Sequence, residues 1–349
     1  MKNIFFVLFA TSIYFSFGQI PAYYSSVDFT LVEFELKNEL SELITSTHTS
    51  PTTYDEVWDV LKLADLDPTN AANVLLVYGF NDDDGIVSND RSRDKNNNGG
   101  SSGQWNREHV FPKSLGSPDL GTSGPGSDPH NLRASDVTTN GTRDNRKFVD
   151  GGGNAGVYGP NWYPGDEWKG DVARIVMYMY LRYGNRCLPS VVAVGAANDI
   201  DGNMIDLLLE WNAEDNVSAF EISRNNRICE AIGNRNPFID NPRIANRIWG
   251  GMLAEDTWGG LSIQENYTYS HFSIYPNPVL NNEIYVSNST YETIISIDLY
   301  DLKGNKINTW IPAIQSNNLT LQLESIPAGL YLLNLESNQG REVKKICIL

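Results

Sequence analysis

The sequence predicts an α+β chain: a large, mainly helical part with short strands, then a small all-β, sandwich-like part. Three observations predict it. Apolar residues recur at helical spacing in Asp171–Tyr183. Near residue 263 the composition changes, and short alternating segments separated by turn residues take over. The 349 residues suffice for one large domain and one small one, and 41% hydrophobic content with 8 Trp and 17 Tyr supplies a core for both.

The N-terminus reads as a secretory signal. Lys2 gives a positive start, Ile4–Phe17 is mostly apolar but short for a membrane span, and Ser16 and Gly18 place small residues before a cut after Gly18. No Cys follows the cut, and no later segment is apolar for long enough to cross a membrane. The competing reading of this segment is a buried N-terminal helix. Next, Tyr54–Asp67 has helical periodicity through Val57, Val60, Leu61 and Ala64. Residues 81–103, rich in Asp, Asn, Gly and Ser, read as a long exposed loop. Residues 105–111 read as a strand and 114–129 as a Gly/Pro/Ser-rich loop, while propensity alone would not make 135–147 a helix. After a loop-like stretch at 151–165 comes the helix Asp171–Tyr183, with Asp171 as its cap or in its first turn. Helical patterns follow near Met204–Trp211 and Val217–Glu230. In the tail, Glu283–Val286, Ile294–Leu299, Leu319–Leu323, Tyr331–Leu335 and Val343–Ile348 are the expected strands.

A net charge of −17 argues against binding nucleic acid by bulk charge, so any nucleic-acid chemistry needs a local site. Residues 105–150 are locally neutral, with six Lys/Arg and six Asp/Glu. The three cysteines, Cys187, Cys229 and Cys347, lack zinc-site spacing; Cys187 and Cys229 form either a disulfide, which export permits, or two buried thiols. Asp94 to Gly99 matches the first half of a calcium loop, but Trp105 stands where the bidentate carboxylate should be. With Asp82-Asp83-Asp84 it reads as a solvated loop, weak calcium binding being the alternative.

The densest polar constellation runs from Asn106-Arg107-Glu108-His109 through Asp128-Pro129-His130-Asn131-Leu132-Arg133 to Asn140-Gly141-Thr142-Arg143-Asp144-Asn145-Arg146. Phosphodiester hydrolysis needs a base for water, a cation for charge on the phosphorane and an acid for the leaving oxygen. A neutral imidazole such as His109 suits the first role. A carboxylate and an amide oxygen, as in Glu108 and Asn140, suit Mg²⁺ or Ca²⁺. Taken alone, the Glu-His pair fits a structural histidine better than a catalytic one.

Residues 20–262 resemble the bacterial endonuclease I family of secreted or periplasmic nucleases. The resemblance is carried by Trp105-Asn106-Arg107-Glu108-His109-Val110-Phe111-Pro112, by Asp128–Arg133, by Asn140–Asn145, by Asp171–Gly184 and by Gly233-Asn234-Arg235-Asn236-Pro237-Phe238. It implies a ββα-metal (His-Me finger) site in a mixed, mainly helical fold. Glu108 and Asn140 would bind one divalent cation, Mg²⁺ with Ca²⁺ or Mn²⁺ as alternatives, and His109 would activate water. The implied substrate is DNA, with RNA in some members, cut with little sequence preference to leave 5′-phosphate and 3′-hydroxyl ends. The chain departs from the pattern at Pro129 and Ala134, and Pro129, lacking an N–H, could perturb the second strand. The family's phosphate-contacting Arg is missing from 114–127, which leaves Arg107, Arg133, Arg143 and Arg146 as candidates. His130 and Asn131 are expected to support the site, with Asn131 as the fallback ligand.

The tail resembles the sorting domain of the type IX secretion system of Bacteroidota through Tyr275-Pro276-Asn277-Pro278, Leu299–Lys306, Pro327-Ala328-Gly329-Leu330-Tyr331 and Lys344-Lys345. The expected organisation is therefore a signal (1–18), a catalytic domain (19–262), a linker (263–271) and a sorting domain (272–349). The protein would be exported through the periplasm to the medium or cell surface, with nucleic acid and the secretion machinery as partners. The competing class is a non-catalytic, calcium-stabilised cell-surface binding or adhesion module.

Overall fold

The computed structural model describes residues 20–261, 272–279, 281–288, 293–301, 304–312, 318–323, 326–337 and 340–349. The expected signal segment and linker lie outside the described residues. The chain divides between Leu261 and Ser262 into two compact units.

The first unit mixes helices with short antiparallel strands. In order it holds α1 (Glu33–Ser46), α2 (Val57–Ala64), β1 (Leu66–Asp67), β2 (Asn70–Leu75), β3 (Ser92–Asp94), β4 (Trp105–His109), β5 (Leu132–Asp136) and α3 (Val137–Arg143). Then come β6 (Gly156–Tyr158), β7 (Asn161–Tyr163), α4 (Lys169–Tyr183), α5 (Pro189–Val192), α6 (Asp206–Glu214), α7 (Ala219–Ile232), α8 (Pro237–Asp240) and α9 (Arg243–Trp249). The strands form a three-stranded sheet β1-β2-β3 and two hairpins, β4-β5 and β6-β7.

Helix α4 is the axis of this unit and is buried from Gly170 to Leu181. Its first turn approaches the end of α6 so closely that a Cβ on Gly170 would fall 2.5 Å from the Asp215 carbonyl. Asp171 lies in the first turn and does not cap the helix. It is buried and accepts a 2.7 Å bond from Arg133, because that guanidinium enters the core from β5 and needs a counter-charge there. The pair belongs to a buried network. Arg174 forks onto Glu221 at 2.7 and 2.9 Å, and Arg224 meets Asp65 at 2.7 Å, with Arg133 3.5 Å from the same Asp65. Three acids thus face three arginines, and the interior charge balances. A separate apolar cluster of Val57, Leu61, Val74, Leu76, Trp105, Leu132 and Ala134 seats the β4-β5 hairpin on α2 and β2.

Two stretches read as loops contain regular structure, and a third is a helix that propensity alone does not predict. The loop 81–103 includes β3, whose Arg93 is drawn inward to Asp136 at 2.6 Å. The stretch 151–165 contains the β6-β7 hairpin. Residues 137–143 form α3 despite a β-branched start and Gly141, because Asp136 Oδ1 caps the N–H groups of Thr138 and Thr139 at 2.7 and 3.0 Å. Pro129 does not perturb β5, which begins three residues later; its carbonyl accepts a bond from Arg224 instead. Cys187, Cys229 and Cys347 are all free thiols, so the disulfide alternative is not realised. Burial pushes the Cys187 thiol up to about 12, which leaves it protonated at neutral pH.

The second unit is all β: β8 (Phe272–Tyr275), β9 (Glu283–Asn288), β10 (Ile294–Asp301), β11 (Lys306–Trp310), β12 (Asn318–Gln322), β13 (Gly329–Ser337) and β14 (Gly340–Ile348). The sheets β12-β9-β8 and β11-β10-β13-β14 share a core that includes Ile284, Val286, Ile297, Leu299, Leu333 and Ile346. Strand β11 escapes the alternation rule because Lys306–Thr309 is exposed throughout.

Candidate active site

The site is built on β4, β5 and α3. The two strands pair antiparallel, with Glu108 opposite Arg133 and His109 opposite Leu132. Helix α3 leaves β5 at once, and its side chains reach back across β4. Asn140 Nδ2 donates to Asn106 Oδ1 at 2.7 Å. Arg143 donates to the carbonyls of His109 and Val110 at 3.0 and 2.7 Å and lies 3.1 Å from Glu108 Oε1. Glu108, His109 and Asn140, separated in sequence, therefore line one open cavity of about 280 Å³, with Arg107, Lys113 and Asp144 at its edges.

Each of the three is oriented. The Tyr78 hydroxyl donates to Glu108 Oε1 at 3.0 Å, the oxygen that Arg143 also meets, so Oε2 remains for a ligand in the cavity. Burial pushes the Glu108 carboxyl up to about 7, against the pull of Arg143 and Tyr78. In Asn140 the amide nitrogen is engaged by Asn106, which leaves its oxygen as an acceptor. His109 Nε2 lies 2.9 Å from the Gly126 carbonyl. A carbonyl only accepts, so Nε2 carries the proton and Nδ1 the lone pair. Burial holds the ring neutral, its pKa pulled down to about 4. At neutral pH the ring is therefore a proton acceptor.

The other candidates sort by burial. Arg133 and Arg143 are fully buried and tied to carboxylates and carbonyls, so neither presents its guanidinium at the surface as a phosphate contact would require. Arg146 is half-buried on the Thr142 carbonyl and does not line the cavity. Arg107 does line it, its guanidinium over the Tyr54 ring at 3.5 Å and over Trp58 at 4.1 Å, with Asp55 3.7 Å away. Asn131 supports the site: its side chain brackets Phe111, accepting from the backbone N–H at 2.8 Å and donating to the carbonyl at 3.1 Å. His130 lies away from the cavity, fully buried on Tyr178 and near the Asn234 carbonyl. The motif reading missed Lys113, exposed at the rim four residues beyond His109, where its position offered a signal. It also gave no role to Asn106, though that residue lies in the motif, and it missed Tyr78 and Gly126, which nothing in the sequence marks.

In the calcium-like loop, Asp84 accepts from Ile86 N–H, Asn81 and Asn89, Asp94 Oδ1 accepts from Asn96 N–H, and Trp105, at the place of the bidentate carboxylate, is buried in the core. Among the described residues no three His, Cys, Asp or Glu gather as a metal cluster, so the oxygen pair of Glu108 and Asn140 is the candidate set. Two hard oxygen donors beside open volume fit a Mg²⁺- or Ca²⁺-like ion that keeps several waters.

The profile of the endonuclease I family matches residues 32–243, and that of the secretion system C-terminal sorting domain matches 273–349. The extracellular ribonuclease of Bacillus subtilis (strain 168) is 44% identical over 230 residues, 61% of this chain and 74% of that protein. The extracellular ribonuclease of Bacillus amyloliquefaciens is 43% identical over 230 residues, 61% of this chain and 73% of that protein.

Proposed function

The chain belongs to the endonuclease I family and ends in a secretion sorting domain, and from that premise we propose that this secreted nuclease hydrolyses RNA and DNA with one divalent cation, His109 serving as general base. The observation that carries the reading is the convergence of Glu108, His109 and Asn140 on one cavity with the His109 tautomer fixed. Among the described residues no helix is long and apolar enough to cross a membrane.

Glu108 Oε2 and Asn140 Oδ1 would hold the ion, Mg²⁺ first and Ca²⁺ or Mn²⁺ in its place. When bound, it would supply neutralisation of the charge that builds on the phosphorane and leaving oxygen. His109 Nδ1 removes a proton from water as the water oxygen bonds to phosphorus; the P–O3′ bond breaks, and the leaving 3′ oxygen takes a proton from a second water molecule. The products carry a 5′-phosphate and a 3′-hydroxyl. Lys113 and Arg107 face the backbone phosphates, which fix register without reading sequence. Because water and not a 2′-hydroxyl is the nucleophile, DNA and RNA are both substrates. The ribonuclease names of the two relatives favour RNA as a full substrate and not a side reaction. The tail directs export through the type IX machinery and is removed there, giving a mature enzyme without residues 1–18 or most residues after about 270.

The test is cleavage of matched DNA and RNA with Mg²⁺ or EDTA, with mass spectrometry of the ends. Cleavage of both only with metal, leaving 5′-phosphates, supports the reading; 2′,3′-cyclic ends on RNA would refute water as nucleophile. Glu108→Ala and Asn140→Ala should lose activity that raised Mg²⁺ partly restores.

A further inference from the structure

Residues 52–54 precede α2 and take no part in the chemistry above, yet Tyr54 touches the base and Thr52 bonds to the loop that carries its acceptor. The Tyr54 ring stacks on the His109 imidazole, centroids 5.7 Å apart and planes at 22°. The Tyr54 carbonyl accepts a bond from Arg107, whose guanidinium lies over the same ring. Two residues earlier, Thr52 Oγ1 donates to the Ser127 carbonyl at 2.8 Å, and Ser127 Oγ donates back to the Thr52 carbonyl at 2.7 Å. Ser127 follows Gly126, whose carbonyl accepts the hydrogen bond from His109 Nε2. Gly126 has little room to move: a Cβ there would fall 2.1 Å from the Gly121 carbonyl.

These contacts meet a specific need. The torsion that turns an imidazole is broad and roughly two-fold, so backbone placement alone does not decide which nitrogen faces the cavity. One hydrogen bond fixes one ring atom and leaves the plane free to tilt. A stacked face removes the tilt, and an anchored acceptor removes the flip. A displacement of about 1 Å at a reacting atom can cost roughly 10²-fold in rate.

Resting on the reading of His109 as base, we propose that residues 52–54 form a brace that fixes its ring plane and tautomer, with Tyr54 and Thr52 as positioning residues. The Tyr54 stack sets the plane. The Thr52–Ser127 pair holds the loop that presents the Gly126 carbonyl. Arg107 shares the Tyr54 ring, so the brace also ties a phosphate-facing cation to the base.

The experiment measures kcat, KM and Mg²⁺ affinity for wild type, Tyr54→Leu, Tyr54→Phe, Thr52→Val, Thr52→Ser and His109→Ala. It adds imidazole ¹⁵N spectra of the metal-free proteins, with His109→Ala identifying the signals. Tyr54→Leu should lose about 10- to 100-fold in kcat with KM and Mg²⁺ affinity near wild type, and Tyr54→Phe should recover it. Thr52→Val should lose roughly tenfold, and Thr52→Ser should recover that. Wild-type spectra should show His109 with a pyrrole-type Nε2 and a pyridine-type Nδ1, averaged toward a tautomer mixture in Tyr54→Leu and Thr52→Val. Wild-type kcat and spectra in both variants, with His109→Ala inactive, would overturn the brace. An active His109→Ala would instead remove the base assignment, while the metal-free spectra still decide whether the ring is braced. If Tyr54→Leu does not fold, the Thr52 pair and its spectra carry the decision.

Discussion

Arg107 and Arg133 sit one rung apart on the two strands of one hairpin, since Arg107 faces Ala134 and Arg133 faces Glu108. Arg107 lines the cavity with its guanidinium over two aromatic rings. Arg133 is fully buried and bonded to Asp171 on the central helix. The contrast extends to the regions they represent. The cavity face holds groups whose capacity is unspent: the Glu108 Oε2, the Asn140 amide oxygen and the His109 lone pair. In the buried network of Asp65, Asp171, Glu221, Arg133, Arg174 and Arg224, the charges are turned on one another. The first region should therefore govern rate and the second stability.

The strongest way to break that division is at the base. His109→Ala should cost roughly 10²–10⁴-fold in kcat while the melting temperature stays within a few degrees of wild type. Parallel kinetics and calorimetry check it, and a variant that melts early would show the cavity face to be structural as well. The reverse case is Arg174→Met. It leaves Glu221 buried without its partner, at a cost of about 3–5 kcal/mol. That corresponds to a fall in melting temperature of roughly 10 °C for a unit of this size, with kcat per folded molecule unchanged.

A smaller effect sharpens the comparison through pH. His130 belongs to the buried side, and burial pulls its pKa down to about 3. In the unfolded chain the ring titrates near ~6.5. Between those values unfolding takes up a proton, so the stability tied to the neutral ring is complete above ~6.5 and is lost as pH falls toward 3. The loss should reach about 2 kcal/mol by pH 5, and His130→Gln should flatten the slope of denaturant stability against pH. An unchanged slope would show that other groups set it. The smallest effect concerns the second unit. Ending the chain after Leu261 should leave kcat and the melting of the first unit unchanged while abolishing export, as measured by activity in medium against cells.

Much of the site was legible early, and for a chemical reason. A carboxylate beside an imidazole, with an amide further on, is by itself a weak signal; the several ordered motifs around it are specific, and they identify the family. The helix Lys169–Tyr183 and most tail strands were equally plain, because burial imposes periods of 3.6 and 2 that the apolar residues must follow. Helix α3 was not plain, since its stability comes from the Asp136 cap and the reach of Arg143 rather than from propensity.

The sequence by itself determined the family and the sorting tail, and it singled out Glu108, His109 and Asn140 as the candidate set. Only the tertiary structure decided which arginine lines the cavity. Arg107, Arg133, Arg143 and Arg146 have the same charge and geometry in the sequence, and the distinction lies in the neighbours that folding brings to each. Aromatic rings shelve one at the rim, carboxylates and carbonyls hold two in the interior, and a local carbonyl takes the last. The orientation of His109 was decided the same way, by a glycine carbonyl and a tyrosine ring from other segments of the chain. Side-chain chemistry is local and is written in residue type. Desolvation and orientation depend on contacts between distant segments, which come into being only when the chain folds.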